Sequence, residues 1–291
     1  MTDLITIANE HLTAQLNPLG AELTSLKDAD GRELMTNADP AFWTGHAPIL
    51  FPVVGRPYHD TIRIDGAEYP MKQHGFARRM AFAVSEQQPG SVAFTLEATP
   101  ETRAVYPFDF RLTVTFGLTG ATLTIDVAIT NPSAQPLPAS FGFHPAFAWP
   151  LPYGEDRADH RIVFSADEPD ALRMIADDGT IAEGERPSPL EARTLRLRDA
   201  LFEKDALVWD SVRSDSVTYG AESGPQLRID FPDTPMIGIW TKPGAAYVCV
   251  EPWHGIADPE GYDGEFRDKP GVFEVAAGDT KTITLRATLM A

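Results

Sequence analysis

The chain has 291 residues, 43% of them hydrophobic, with 42 acidic against 24 basic side chains and a formal net charge of −18. Such a field disfavours nucleic acid and anionic membrane surfaces as partners, and an anionic substrate would need a locally basic pocket. The segment Met1 to Glu10 lacks a positive start and a long apolar stretch, and no apolar run is long enough to span a membrane. Cys249 is the only cysteine, so no internal disulfide forms, and the expected setting is reduced and cytoplasmic.

Along the chain, turn signals at Asp30-Gly31 and Asp65-Gly66 precede the first clear alternation, Val92, Phe94 and Leu96. Leu112, Val114, Phe116 and Leu118 alternate next, and after a Thr119-Gly120 turn so do Leu123, Ile125, Val127 and Ile129. Further turns stand at Asp178-Gly179 and Gly278-Asp279, ahead of Ile283, Leu285 and Leu289. A period of two predicts half-buried antiparallel strands, and no stretch keeps a helical period. These signals run from Ile5 to Leu289 without a linker. The expected organisation is one all-β domain over 1–291, a large antiparallel β-sandwich. Leu151 to Arg198 is more polar and less regular, and reads as a long excursion at the sandwich edge.

Four segments break this pattern: Ala47 to Arg56, His74-Gly-Phe-Ala-Arg78, Phe141-Gly-Phe-His-Pro-Ala-Phe147 and Val250-Glu-Pro-Trp-His-Gly255. In an extended chain Phe141 and Phe143 face one way, and Gly142 and His144 the other. Gly142 is expected to leave open space there. Pro145 restrains the residue before it, so His144 should end a strand with its ring toward a cavity. A buried structural histidine would fit the same context. Glu251 precedes Pro252 after the β-rich run Tyr247 to Val250, which places a carboxylate at the end of a buried strand. It is either functional or a salt-bridged rim residue. Trp253 offers an aromatic face of the kind sugar C–H groups stack on. Arg56 and Arg78 can fork onto hydroxyls, carboxylates or phosphate, or can pair with the abundant acids.

Other chemistry is less well supported. Cys249 sits mid-strand with no adjacent base. His74, His144 and Glu251 could ligate a metal, but no His-x-His, His-Glu-x-x-His or cysteine pair is present, so no metal is expected. His46, His59 and His160 read as solvated loop residues.

Taken together and in order, these segments resemble the aldose 1-epimerase (galactose mutarotase-like) family, and within it a LacX-like branch. The resemblance also takes in Asn17-Pro-Leu-Gly-Ala-Glu22, Tyr106-Pro-Phe-Asp-Phe110 and Trp240-Thr-Lys-Pro-Gly244. It implies an antiparallel β-supersandwich with a sugar cleft on one face and no cofactor. It implies His144 as general acid, Glu251 as general base and His74 as an assistant at the substrate's oxygens. Arg56, Arg78 and Asp205 would hold sugar hydroxyls beside Trp253. The activity implied is exchange of α and β anomers through ring opening, on a small-molecule sugar or sugar phosphate. Hexose-6-phosphate epimerisation and non-catalytic sugar binding are the alternatives. His144 is expected cationic and Glu251 anionic, each charge favouring the other.

Overall fold

In the computed structural model the apolar positions of two neighbouring runs meet in register. Leu123 pairs with Leu118, Ile125 with Phe116, Val127 with Val114 and Ile129 with Leu112. The turn between them uses Gly120 at φ +53°, a conformation that costs glycine no Cβ clash. Asp65 and Gly66, both at positive φ, close the hairpin of Thr61–Ile64 and Ala67–Pro70 in the manner of a two-residue turn. The structure describes residues 3–168 and 171–291. Met1 and Thr2 of the N-terminal segment, and Pro169 and Asp170 of the 151–198 excursion, lie outside the described residues.

Two large antiparallel sheets form the β-sandwich. One has nine strands, with Thr280–Met290, Thr122–Thr130 and Arg111–Thr119 adjacent within it. The other has eight, and Met236–Trp240, Tyr247–His254 and Phe141–Phe143 lie side by side in it. Val114, Phe116, Val127 and Leu285 belong to the same buried cluster as Ile237, Ile239, Val248 and Val250. Full burial of each such side chain stabilises by roughly 1.5–3 kcal/mol before entropy is subtracted. The excursion from Leu151 to Arg198 is more regular than its composition suggests. Thr194–Arg196 and Arg161–Phe164 end the nine-stranded sheet, and Ala171–Ile175 and Ile181–Pro187 end the eight-stranded one. No helix among the described residues is long and apolar enough to cross a membrane.

Alternation gives Tyr247–His254 two unlike faces. Val248 and Val250 point into the sandwich. Tyr247 and Cys249 join a small group with Ala146, Trp43 and Trp240, and Trp253 joins another with Leu50, Val208 and Ile256. Glu251, between Cys249 and Trp253 in the alternation, shares their face.

The strand does not stop before Pro252, as the sequence suggests; it continues to His254. Val250 donates its amide to the Pro145 carbonyl at 3.1 Å. Alternate residues direct their amides to the same side, so position 252 would aim its N–H there too. On that side Phe141–Phe143 pairs with Trp253 and His254, Ala146–Ala148 pairs with Tyr247 to Cys249, and the chain at His144-Pro145 interrupts the ladder. Pro252 therefore forfeits no ladder bond. Two prolines face one interruption, and His144 and Glu251 stand beside it.

Candidate active site

The interruption turns His144 out of the Phe141–Phe143 strand toward Glu251. His144 Nε2 lies 3.1 Å from Glu251 Oε2, and both side chains are buried. They open on a cavity of about 510 Å³ that is also lined by Trp43, His74, Arg78, Asp205, Trp240 and Trp253. That volume suits a small polar molecule. Trp43 packs on the His144 ring with centroids 4.9 Å apart and an interplanar angle of 30°. Trp240 meets the same ring edge-on at 6.0 Å. Aromatic packing thus fixes the imidazole plane on two sides.

The charge state differs from the one expected. Burial lifts the Glu251 carboxyl well above its usual range, and nearby Asp205 adds to the effect. Burial also drives His144 down to about 3, opposed by a backbone hydrogen bond and reinforced by Arg78. Desolvation acts against both charges, more strongly than each charge favours the other. The pair is best described as electrically neutral overall, sharing one proton between Nε2 and Oε2.

His74 is held by a reciprocal exchange with Gly55. Its amide donates to the Gly55 carbonyl at 2.9 Å, and its Nδ1 accepts from the Gly55 amide at 3.1 Å. An accepting Nδ1 leaves the hydrogen on Nε2, so the neutral ring is a donor. Burial, then His144 and Arg78, keep His74 neutral by pushing its pKa well below 6.5. The residue adopts φ +64°, unusual for a side chain with a Cβ. Its ring centroid stands 5.7 Å from that of His144, at right angles.

The two arginines separate. Arg78 lines the cavity, where its buried Nε has no hydrogen-bond partner and Nη2 reaches only the Gln73 carbonyl at 3.4 Å. Burial and adjacent Arg79 hold its pKa down to about 10. Arg56 is not on the cavity wall; it is committed to Asp60 through Nε at 2.9 Å and to the Asp178 carbonyl through Nη1 at 2.7 Å. The expectation that Arg56 faces the cleft is corrected accordingly. Asp205 lines the cavity at φ +69°, and its Oδ1 caps the Ala206 amide at 2.7 Å. The space expected beside Gly142 is filled by the Trp253 indole.

The wall also includes residues missed in the sequence, among them Trp43, Trp240 and Lys242. Trp240 and Lys242 flank Thr241 in a segment already singled out, but Trp43 lies in coil with no periodic signal. His160 is also not a solvated loop residue. It is buried, with Nε2 accepting from the Leu151 amide at 2.9 Å and Nδ1 paired with the Asp156 carbonyl at 3.0 Å. The ligand trio the structure brings together is His144, Cys249 and Glu251, whose donor atoms lie within 4.8 Å of one another; it is not the trio with His74.

The architecture is that of a galactose mutarotase-like β-sandwich with a paired imidazole and carboxyl at the floor of its cavity. The aldose 1-epimerase family model matches residues 3–259. The plasmid-encoded LacX protein of Lactococcus lactis subsp. lactis is 34% identical, over 98% of this chain and 99% of its own. A galactose mutarotase related enzyme from Lactobacillus acidophilus superposes with a TM-score of 0.91 at 31% identity, covering 99% of this chain and 98% of its own. A galactose mutarotase-like protein from Lactobacillus casei gives 0.90 at 30% identity, over 99% of this chain and all of its own. The chain belongs to the aldose 1-epimerase family.

Proposed function

We propose that this protein, as one domain over its whole length, interconverts the α and β anomers of an aldose. The observation that carries the reading is the 3.1 Å contact between His144 and Glu251 inside a sugar-sized, aromatic-walled cavity. Anomer exchange removes a proton from the C1 hydroxyl and delivers one to the ring oxygen. Those two oxygens share one carbon, so an acid and a base at hydrogen-bonding distance can address both. Glu251 takes the hydroxyl proton and His144 gives one to the ring oxygen; the ring opens, C1–C2 rotates, and closure reverses the roles. The reaction shuttles the pair between its two proton placements without changing its proton count. Neutrality overall, which burial favours, is therefore compatible with catalysis. Each positioned acid or base contributes on the order of 100- to 10,000-fold.

His74 donates from Nε2 to a substrate oxygen, Trp253 and the other indoles face the sugar's C–H surface, and Asp205 and Arg78 hold hydroxyls. A cytoplasmic setting fits the buried free thiol of Cys249. Arg78 also supports a second reading. A half-buried arginine whose Nε is buried without a partner, with Lys242 on the same wall, suits a phosphorylated aldose.

The test is a panel of free and 6-phosphorylated aldoses followed by polarimetry and exchange NMR. Acceleration of anomer exchange beyond the spontaneous rate is expected. Binding without acceleration across the panel would transfer the protein to the class of sugar-binding modules.

A further inference from the structure

The mechanism leaves Cys249 unused, yet its position is specific. It lies two residues before Glu251 on the same strand and the same face, fully buried. Its sulfur, His144 Nε2 or Nδ1 and a Glu251 oxygen all fall within 4.8 Å of one another. A thiolate, an imidazole and a carboxylate form a mixed sulfur–nitrogen–oxygen set of the kind zinc accepts, with a fourth tetrahedral position left over. Cys249 does not reach the cavity wall, but His144 and Glu251 do, so an ion arriving through the cavity meets two ligands first and the sulfur last.

We infer that the acid–base pair doubles as an inhibitory site for a soft divalent cation, held by His144, Cys249 and Glu251. Charge balance favours the complex. A divalent ion with one thiolate, one carboxylate and one neutral imidazole carries no net charge, so it escapes the desolvation that weighs on each separate charge in this pocket. The ion displaces the proton of the thiol and the proton shared by the pair. Without that shared proton neither transfer at the sugar can occur, so occupancy and turnover exclude each other. The fourth position faces the cavity and takes water or a substrate hydroxyl.

Cadmium tests the binding without reference to any sugar. Titration of the intact protein with Cd²⁺ is expected to raise a near-ultraviolet thiolate-to-cadmium charge-transfer band, which the single cysteine assigns to Cys249. His144→Asn and Glu251→Gln should each weaken that titration at least ten-fold, because the thiol alone does not hold the ion. No band in the native protein, or unchanged affinity in both variants, would overturn the proposal. Inhibition is tested separately with zinc and rests on the epimerase reading. Micromolar Zn²⁺ should abolish anomer exchange, EDTA should restore it, and Cys249→Ala should keep turnover while losing the sensitivity. Equal inhibition of Cys249→Ala would place the inhibitory ion elsewhere. If no sugar is turned over, the cadmium result still decides the site.

Discussion

Gly142 and Trp253 are cross-strand partners, and the indole lies where a side chain at Gly142 would be. A Cβ added to Gly142 would stand 2.6 Å from Trp253 Cδ1 and 3.1 Å from the end of Leu50. On the other side, a Cβ at Gly238 would stand 2.5 Å from Trp253 Cη2. The tryptophan is seated between two glycines on neighbouring strands. Gly142→Ala should therefore displace the ring. Overpacking of this kind costs roughly 1–3 kcal/mol. The expected result is a lower urea midpoint together with a shifted tryptophan emission spectrum; native values of both would show that the indole has room to spare.

Glu251→Gln keeps the shape of the side chain and removes its ability to accept the C1 proton. Turnover should fall by about 100-fold or more, close to 3 kcal/mol of transition-state stabilisation, with sugar affinity within an order of magnitude of native. His144→Asn should behave alike, and the double variant should lose little more than either single one, because both groups serve one coupled step. Exchange NMR on the folded variants decides this. Near-native turnover in Glu251→Gln would remove it from the role of base.

The pH dependence of the rate should be bell-shaped. The working pair holds one shared proton. On the acid side it gains a second, and because burial drives His144 down to about 3, that limb lies below the ordinary histidine range. On the alkaline side it loses the proton it has, and because burial raises Glu251, that limb lies well above the ordinary carboxylate range. The rate, corrected for the spontaneous reaction, should thus show a plateau with two falls. A rate that keeps rising with pH would contradict a shared proton.

Stability should decline in mild acid. His74, His160 and His254 are each held below 6.5, chiefly by burial. Below 6.5 the unfolded chain takes up protons that the fold refuses. The contribution of these residues is therefore complete above that pH and is lost as pH falls toward their folded values. Glu251 is raised and carries the opposite sign; between about 4.5 and 6.5 it cancels His144, since the pair keeps one proton folded or unfolded. Tm should drop as pH is lowered from about 6.5 to about 5, above the usual carboxylate range. An unchanged Tm over that interval would mean these rings are already charged.

The arginines should part company in kinetics. Arg56→Ala breaks a partly exposed ion pair with Asp60 outside the cavity and should leave KM within about two-fold, because no cavity-lining group is lost. Arg78→Ala removes a donor from the cavity wall and should raise KM about ten-fold or more, with the larger rise for a phosphorylated sugar. Steady-state kinetics on both variants is the check, and equal KM values would return Arg78 to a structural role.

The β-sandwich was legible because its strands are half-buried: a sheet with unlike faces writes its period into the residues, as from Leu112 to Ile129. The excursion from Leu151 to Arg198 hid its strands, because edge strands such as Ile181–Pro187 are largely exposed and lose the alternation. His144, Glu251 and His74 stood out because each adjoins a proline or glycine. Trp43 did not, since it reaches the site through coil and nothing local distinguishes it from any loop tryptophan. Two misreadings came from treating local sequence alone. Pro252 looked like a terminator because its neighbour's ladder gap is only visible in three dimensions. Gly142 looked like a vacancy because the residue that fills it is more than a hundred positions away.

The two-faced strand Tyr247–His254 has a practical consequence. Val248 and Val250 pack into the sandwich, while Glu251 and Trp253 reach the cavity wall, and a single backbone carries both sets at alternate steps. Someone wishing to change the cavity wall on this strand can do so at Trp253 and leave the valines that face the sandwich's interior in place. Someone wishing to toughen it can work on the even-numbered valines without entering the cavity. Parity thus divides cavity from interior along this strand, and Trp253, wedged between two glycines, is the position where a change touches both.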